Sequence, residues 1–186
     1  MKVHLLVWFA AAQAALAQSG LLVTITNPMP AVFQGFGNSV AALGNDRVIV
    51  AAPYEAFASN PKPDGAVFLF NTNGNLLATL TNPVPTPSGY FGTAICPFGN
   101  DRVVIGAPLD NPSGGYLFST NGTLLQTFSS YGGGNAVAVV GDKVLIASDW
   151  DSSTPSGNYA GAAYLFKTNG SLAMWFVNPI LAGTMQ

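Results

Sequence analysis

"FGNSVAALGNDRVIVAAP", Phe36 to Pro53, returns 55 residues later as "FGTAICPFGNDRVVIGAP", Phe91 to Pro108. Self-similarity at a fixed offset marks a chain assembled from copies of one supersecondary unit. The same offset relates "LLVTITNP", Leu21 to Pro28, to "LLATLTNP", Leu76 to Pro83. A third, decayed copy is "GGGNAVAVVGDKVLIASD", Gly132 to Asp149, where Lys143 replaces Arg47 and Arg102. A companion element recurs three times: "GAVFLFNTNG" from Gly65, "GGYLFSTNG" from Gly114 and "GAAYLFKTNG" from Gly161. Its Phe70, Phe118 and Phe166 are 48 residues apart.

Each unit reads as four short strands. "SVAAL" and "RVIVAA" are β-rich runs separated by Gly-Asn-Asp, whose residues tolerate positive φ and predict a tight hairpin. "AVFLF" and "LLATL" are separated by "NTNG", and Asn-Gly is a strong hairpin signal. Proline then stops the ladder. Units over about 36–83, 91–128 and 133–179 follow. Residues 21–28 form an orphan strand of the fourth-strand type, with no strands before it. The apolar runs lack clean alternation with polar residues, so both sheet faces are expected to be covered. The fold class is therefore all-β, with β-propeller-type blades stacked about an axis in an incomplete ring.

Phe36-Gly37 with Ala51-Ala52-Pro53, and Phe91-Gly92 with Gly106-Ala107-Pro108, resemble the FG-GAP repeat. The third copy keeps only Gly133-Gly134 and Ala147-Ser148-Asp149. The resemblance covers nearly all of the chain after residue 17 and implies blades of the integrin-α type. One departure stands out. Calcium-binding members carry a D-x-D-x-D-G-like loop between the first two strands, and here each loop has one aspartate, Asp46, Asp101 or Asp142. One carboxylate falls short of the six to eight oxygens calcium takes, so these read as turn residues beside Arg47, Arg102 and Lys143. No cofactor is expected.

Composition narrows the chemistry further. Residues 1–17, "MKVHLLVWFAAAQAALA", have the basic start, short apolar run and small-x-small end of an export signal, with Gln18 next. The expected location is extracellular, periplasmic or cell-envelope. Cleavage would remove His4, the only histidine, and with it any Ser-His-Asp or His-ligated metal site. Cys96 is the only cysteine and reads as a small apolar strand residue. Without Lys2, five Lys and Arg stand against eight Asp and Glu, a net charge of −3. Such a surface has no basic footprint for nucleic acid, and no second apolar run has the length of a membrane span.

Just past the second strand of each unit stands an acid: Glu55, Asp110 and Asp151. Beside them are Tyr54, Leu109 and Trp150. Loops on a rigid scaffold are where binding concentrates, so Tyr54, Glu55, Asp110, Trp150 and Asp151 are candidate ligand residues on one rim. The bland alternative is that the acids cap nearby backbone N–H groups and the aromatics wedge between blades. Asp149 with Asp151 is a weak metal candidate and a poor glycosidase pair, because residues two apart on one loop rarely oppose each other across a cleft. Asn121 and Asn169 fit the N-glycosylation triplet, yet both are turn residues of the repeat.

These features point to a secreted, non-enzymatic binding or adhesion scaffold for a protein or glycan ligand. A lectin-like oligomeric ring is the alternative, and a polysaccharide-active enzyme using Asp110, Asp149 or Asp151 a remoter one. Three units and an orphan strand do not close a ring of four to eight blades. Either further blades follow in a longer chain, or several chains complete the ring.

Overall fold

The computed structural model describes residues 23–30, 33–54, 64–84, 88–130, 132–151 and 160–177. All regular structure among them is strand. Twelve strands run in chain order: β1 Ser39–Leu43, β2 Arg47–Ala52, β3 Ala66–Asn71, β4 Leu76–Thr81, β5 Ile95–Phe98, β6 Arg102–Ala107, β7 Gly114–Ser119, β8 Leu124–Ser129, β9 Ala136–Val140, β10 Lys143–Ser148, β11 Ala162–Lys167 and β12 Leu172–Val177. They form three four-stranded antiparallel meanders, β1–β4, β5–β8 and β9–β12, each in sequence order. The three expected units are these blade-like sheets, and they do not close into a ring. The export signal and Glu55 lie outside the described residues.

Register repeats as faithfully as sequence. Leu43 pairs with Arg47, and Phe98 with Arg102, across the Gly-Asn-Asp turns. A bulge interrupts the third-to-fourth strand ladder at Leu69/Phe70, Leu117/Phe118 and Leu165/Phe166 alike. The Asn-Gly turns are held by asparagine side chains. Asn169 Oδ1 accepts from the Ser171 N–H at 3.0 Å and its hydroxyl at 2.7 Å, and Asn121 Oδ1 accepts from the Thr123 N–H at 3.1 Å.

Sheets stack face to face. Leu43, Ile49, Leu69 and Leu80 of the first sheet pack on Phe91, Val103, Ile105, Tyr116 and Phe118 of the second. Phe98, Val104, Leu117 and Phe128 of the second pack on Val144, Ile146, Tyr164 and Phe166 of the third. The first and second sheets thus each have a forward face that receives the next sheet, and the second and third a backward, more aromatic face that docks on the previous one. The opening motif serves this stacking. Gly37, Gly92 and Gly134 each donate their N–H to a carbonyl near the end of the second strand, Ala51, Gly106 and Ala147, at 2.9–3.0 Å. This pins the connector onto its own sheet, and in the second and third sheets Gly92 and Gly134 are thereby pressed against the sheet before. A Cβ on Gly106 would lie 2.1 Å from the Gly134 carbonyl oxygen.

One expectation needs correction. Residues 23–28 of the anticipated orphan strand pair with no sheet among the described residues, because no neighbouring strand is there to receive them. They nevertheless occupy a fourth-strand place. Ile25, the counterpart of Leu80, packs with Met29 on the backward face of the first sheet, against the cluster of Val50, Phe68 and Phe70. Asn27 repeats the role of Asn82: each Oδ1 accepts the N–H two residues on, and each Nδ2 donates to a side chain of the next sheet's loops. Coverage follows from the incomplete ring. The second sheet is covered on both faces and the first on its forward face, with only Ile25 and Met29 of residues 23–30 added on its backward face. Among the described residues no sheet covers the forward face of the third, and every residue of β12 is exposed.

Candidate functional site

Stacking brings the ends of the second strands to one rim, and a cleft of about 440 Å³ opens there. Tyr54 comes from the first sheet, Pro108 and Leu109 from the second, and Asp149 and Trp150 from the third; Tyr90, Thr93, Gly132 and Asn135 complete the lining. Tyr54, Leu109 and Trp150 hold equivalent places past β2, β6 and β10, so the repeat itself delivers one large apolar side chain per sheet. All three are solvent-accessible, Trp150 most of all at 67 %. Tyr90 meets Tyr54 edge to face, with ring centroids 5.3 Å apart and planes at 85°.

The polar groups of the cleft are few and oriented. Asn135 Nδ2 donates to Asp149 Oδ1 at 2.6 Å, which fixes the carboxylate beside Trp150. Tyr90 and Ser88 both adopt positive φ, 56° and 63°. That conformation is costly for a side-chain-bearing residue and is often held at functional loops.

The candidate residues divide into two groups. Tyr54 and Trp150 line the cleft, together with Asp149. Asp110 and Asp151 instead point into the protein, being only 5 % and 0 % exposed. Asp110 accepts the Tyr116 hydroxyl at 2.6 Å and Asn82 Nδ2 at 2.8 Å. Asp151 accepts the Tyr164 hydroxyl in the same way. Each acid ties the loop after the second strand to the third strand of its own sheet through a tyrosine hydroxyl. In the first sheet Phe68 takes the tyrosine position, without a hydroxyl.

Burial raises the Asp110 carboxyl above the ordinary carboxylate range and the charge of Asp64 adds to this, while the bonds from Tyr116 and Asn82 act against it. Burial, then the hydrogen bond and charge of Asp110, push the Tyr116 hydroxyl far above its usual value. The Cys96 thiol is likewise raised by burial; it is half-buried and packs against the core between the second and third sheets.

Asp110 also borders a second cavity of about 460 Å³ with Asn111, Pro112, Ser113, Ser129, Ser130 and Gly132. Asp149 and Asp151 have different partners, and no three His, Cys, Asp or Glu residues gather among the described residues. Asp46, Asp101 and Asp142 are exposed turn residues, each beside its neighbouring Arg or Lys at 3.4, 3.5 and 2.5 Å.

Sequence reasoning missed Asn82, Tyr90 and Tyr116. The Asn82 signal was present in the repeated "TNP", and that of Tyr116 in the recurrence of an aromatic residue at the centre of each third strand. Tyr90 has no such signal, since Gly35 holds its place in the first unit. Compared with known proteins, the chain matches no family model and no curated sequence.

Proposed function

We propose that the chain is an exported, non-enzymatic binding scaffold of the FG-GAP type, that the rim cleft is its ligand site, and that the ligand is a glycan. The observation that carries this reading is the convergence of Tyr54, Leu109 and Trp150, one from each sheet, on a single cleft with Asp149 and Asn135 at its side. Binding sites typically combine apolar and aromatic walls with a few placed polar groups. A pyranose ring offers the matching surface: an apolar C–H face for the aromatic rings and equatorial hydroxyls for a carboxylate and an amide.

Catalysis is disfavoured by the placement of the acids. Hydrolysis of a glycosidic bond calls for two carboxylates across the bond, about 5–9 Å apart. Asp110 and Asp151 are buried and engaged by tyrosines, which leaves Asp149 as the acid lining this cleft among the described residues. Lys2, the apolar run and Ala15-Leu16-Ala17 support export. The glycine-to-carbonyl bonds made by Gly37, Gly92 and Gly134 give the Phe-Gly and Gly-Ala-Pro elements a shared structural role, which supports the FG-GAP resemblance.

A glycan array on the purified protein, repeated with Trp150→Ala, tests the proposal. Selective binding of one glycan class, reduced at least tenfold in the variant, is the expected result. An empty array, or binding untouched by the substitution, would overturn it.

A further inference from the structure

Two incomplete halves of one interface stand at opposite ends of the stack. On the third sheet, Val140, Leu145, Leu165 and Phe176 occupy the register positions of Leu43, Ile49, Leu69 and Leu80, and of Phe98, Val104, Leu117 and Phe128. Both of those earlier sets are buried under a following sheet. In the third sheet Val140, Met174 and Phe176 are 53, 53 and 51 % exposed.

The first sheet shows the reverse deficit. Phe91 is fully buried between sheets, whereas its counterpart Phe36 is partly exposed. Ile95 and Val137 pack on a preceding sheet, whereas their counterpart Val40 is 67 % exposed. Gly92 has Val67 and Ala51 at 3.1 and 3.2 Å from its Cβ position, and Gly134 has backbone at 2.2 Å, but nothing lies within 4 Å of Gly37. On this backward face Val50, Phe68 and Phe70 of β2 and β3 are already buried, with Ile25, Met29 and Phe36 packed on them, so the uncovered part is the β1 side around Val40 and Gly37.

We propose that these two surfaces dock on each other between two copies of the chain, forming a closed head-to-tail dimer. The forward face of the third sheet in one copy receives the backward face of the first sheet in the other, and the second interface is identical. Both halves are present on one chain, and they are the two halves of an interface it already makes twice internally. Two copies supply six sheets, within the four to eight that close a propeller, and two-fold closure satisfies both ends at once.

Contacts at the edge agree. Arg47 Nη2 donates to the Asn100 carbonyl in the following sheet's first turn at 2.6 Å. Lys143 holds the Arg47 position and would meet the Asn45 carbonyl of the second copy. Residues 23–28 and β12 of the incoming sheet claim the same fourth-strand place, so docking exchanges one for the other. The segment is outside any sheet and mostly exposed, so it is the part that yields.

Light scattering behind gel filtration, over a tenfold range of protein concentration, tests this. The expected mass is twice that of one chain. Met174→Asp with Phe176→Asp should give monomers, or weaken association at least tenfold. Leu125→Asp, on an exposed apolar residue outside the forward face, should leave the dimer intact. Ile25→Ser loosens the competing segment and should tighten association several-fold. A monomer at all concentrations, open-ended growth, or a dimer indifferent to the double substitution overturns the proposal. So does loss of stability in the double variant without change of mass, because the face would then be covered within the chain. Weakened association in Ile25→Ser would overturn the exchange.

Discussion

Asp110 and Tyr116 are a buried pair whose members depend on each other's charge state. The carboxyl is raised by burial, so the folded protein binds its proton more tightly than the unfolded chain does, where an aspartate titrates at about 3.9. Its contribution to stability is therefore full below about pH 4 and is lost as pH rises through the raised value. Asp110→Asn should flatten this part of the profile, measured by urea unfolding between pH 4 and pH 7. Tyr116→Phe removes a donor that favours the ionised form. It should cost about 1–3 kcal/mol, with the larger loss at pH 7, and a larger loss at pH 4 would contradict the pairing. The sequence marked Asp110 but not its role: a carboxylate six residues before a tyrosine becomes its partner only once the loop folds back over β7. Trp150 and Tyr54 were legible because both sit next to the repeated acids, at a fixed place past a strand.

At the scale of the element, the repeated motif is a device for close approach. Gly106 exists because the next sheet's Gly134 carbonyl oxygen comes to where a Cβ would be, 2.1 Å away. Gly106→Ala should cost about 3 kcal/mol in thermal or denaturant unfolding. Gly141 is different: its φ is +61° and nothing lies within 4 Å of its Cβ position. Gly141→Ala should cost only the backbone strain, about 1–2 kcal/mol. Equal losses would mean that the sheets are not held at this spacing. Hairpins, strand bounds and sheet order were all readable from Gly-Asn-Asp and Asn-Gly, because local turn chemistry dictates them. The common bulge before Phe70, Phe118 and Phe166 was not, because it leaves the alternation of the third strand unchanged. Residues 23–28 misled in the other direction. Their sequence is that of a strand, but strand structure needs a neighbour, and position without pairing is what a fourth-strand segment has when its sheet is elsewhere.

For the whole molecule, stacking alone creates the cleft, since Tyr54, Leu109 and Trp150 lie about 40–55 residues apart in sequence and belong to three different sheets. The fold was largely legible because repetition encodes it. The cleft was legible only as a set of rim positions, because its volume depends on how far each sheet is rotated from the last. That an incomplete stack of three units leaves its two end faces bare was legible from the count of units. Which side chains stand on those faces was not, because the strand runs read as core throughout and only the stack assigns each residue to a face. The most direct measurement is binding of one glycan, chosen from the array, to Tyr54→Ala and to Trp150→Ala by calorimetry, with folding of both checked by unfolding curves. Residues from the first and third sheets should each lose at least tenfold in affinity for that same glycan. Full affinity in either folded variant would contradict a single ligand site assembled across the sheets.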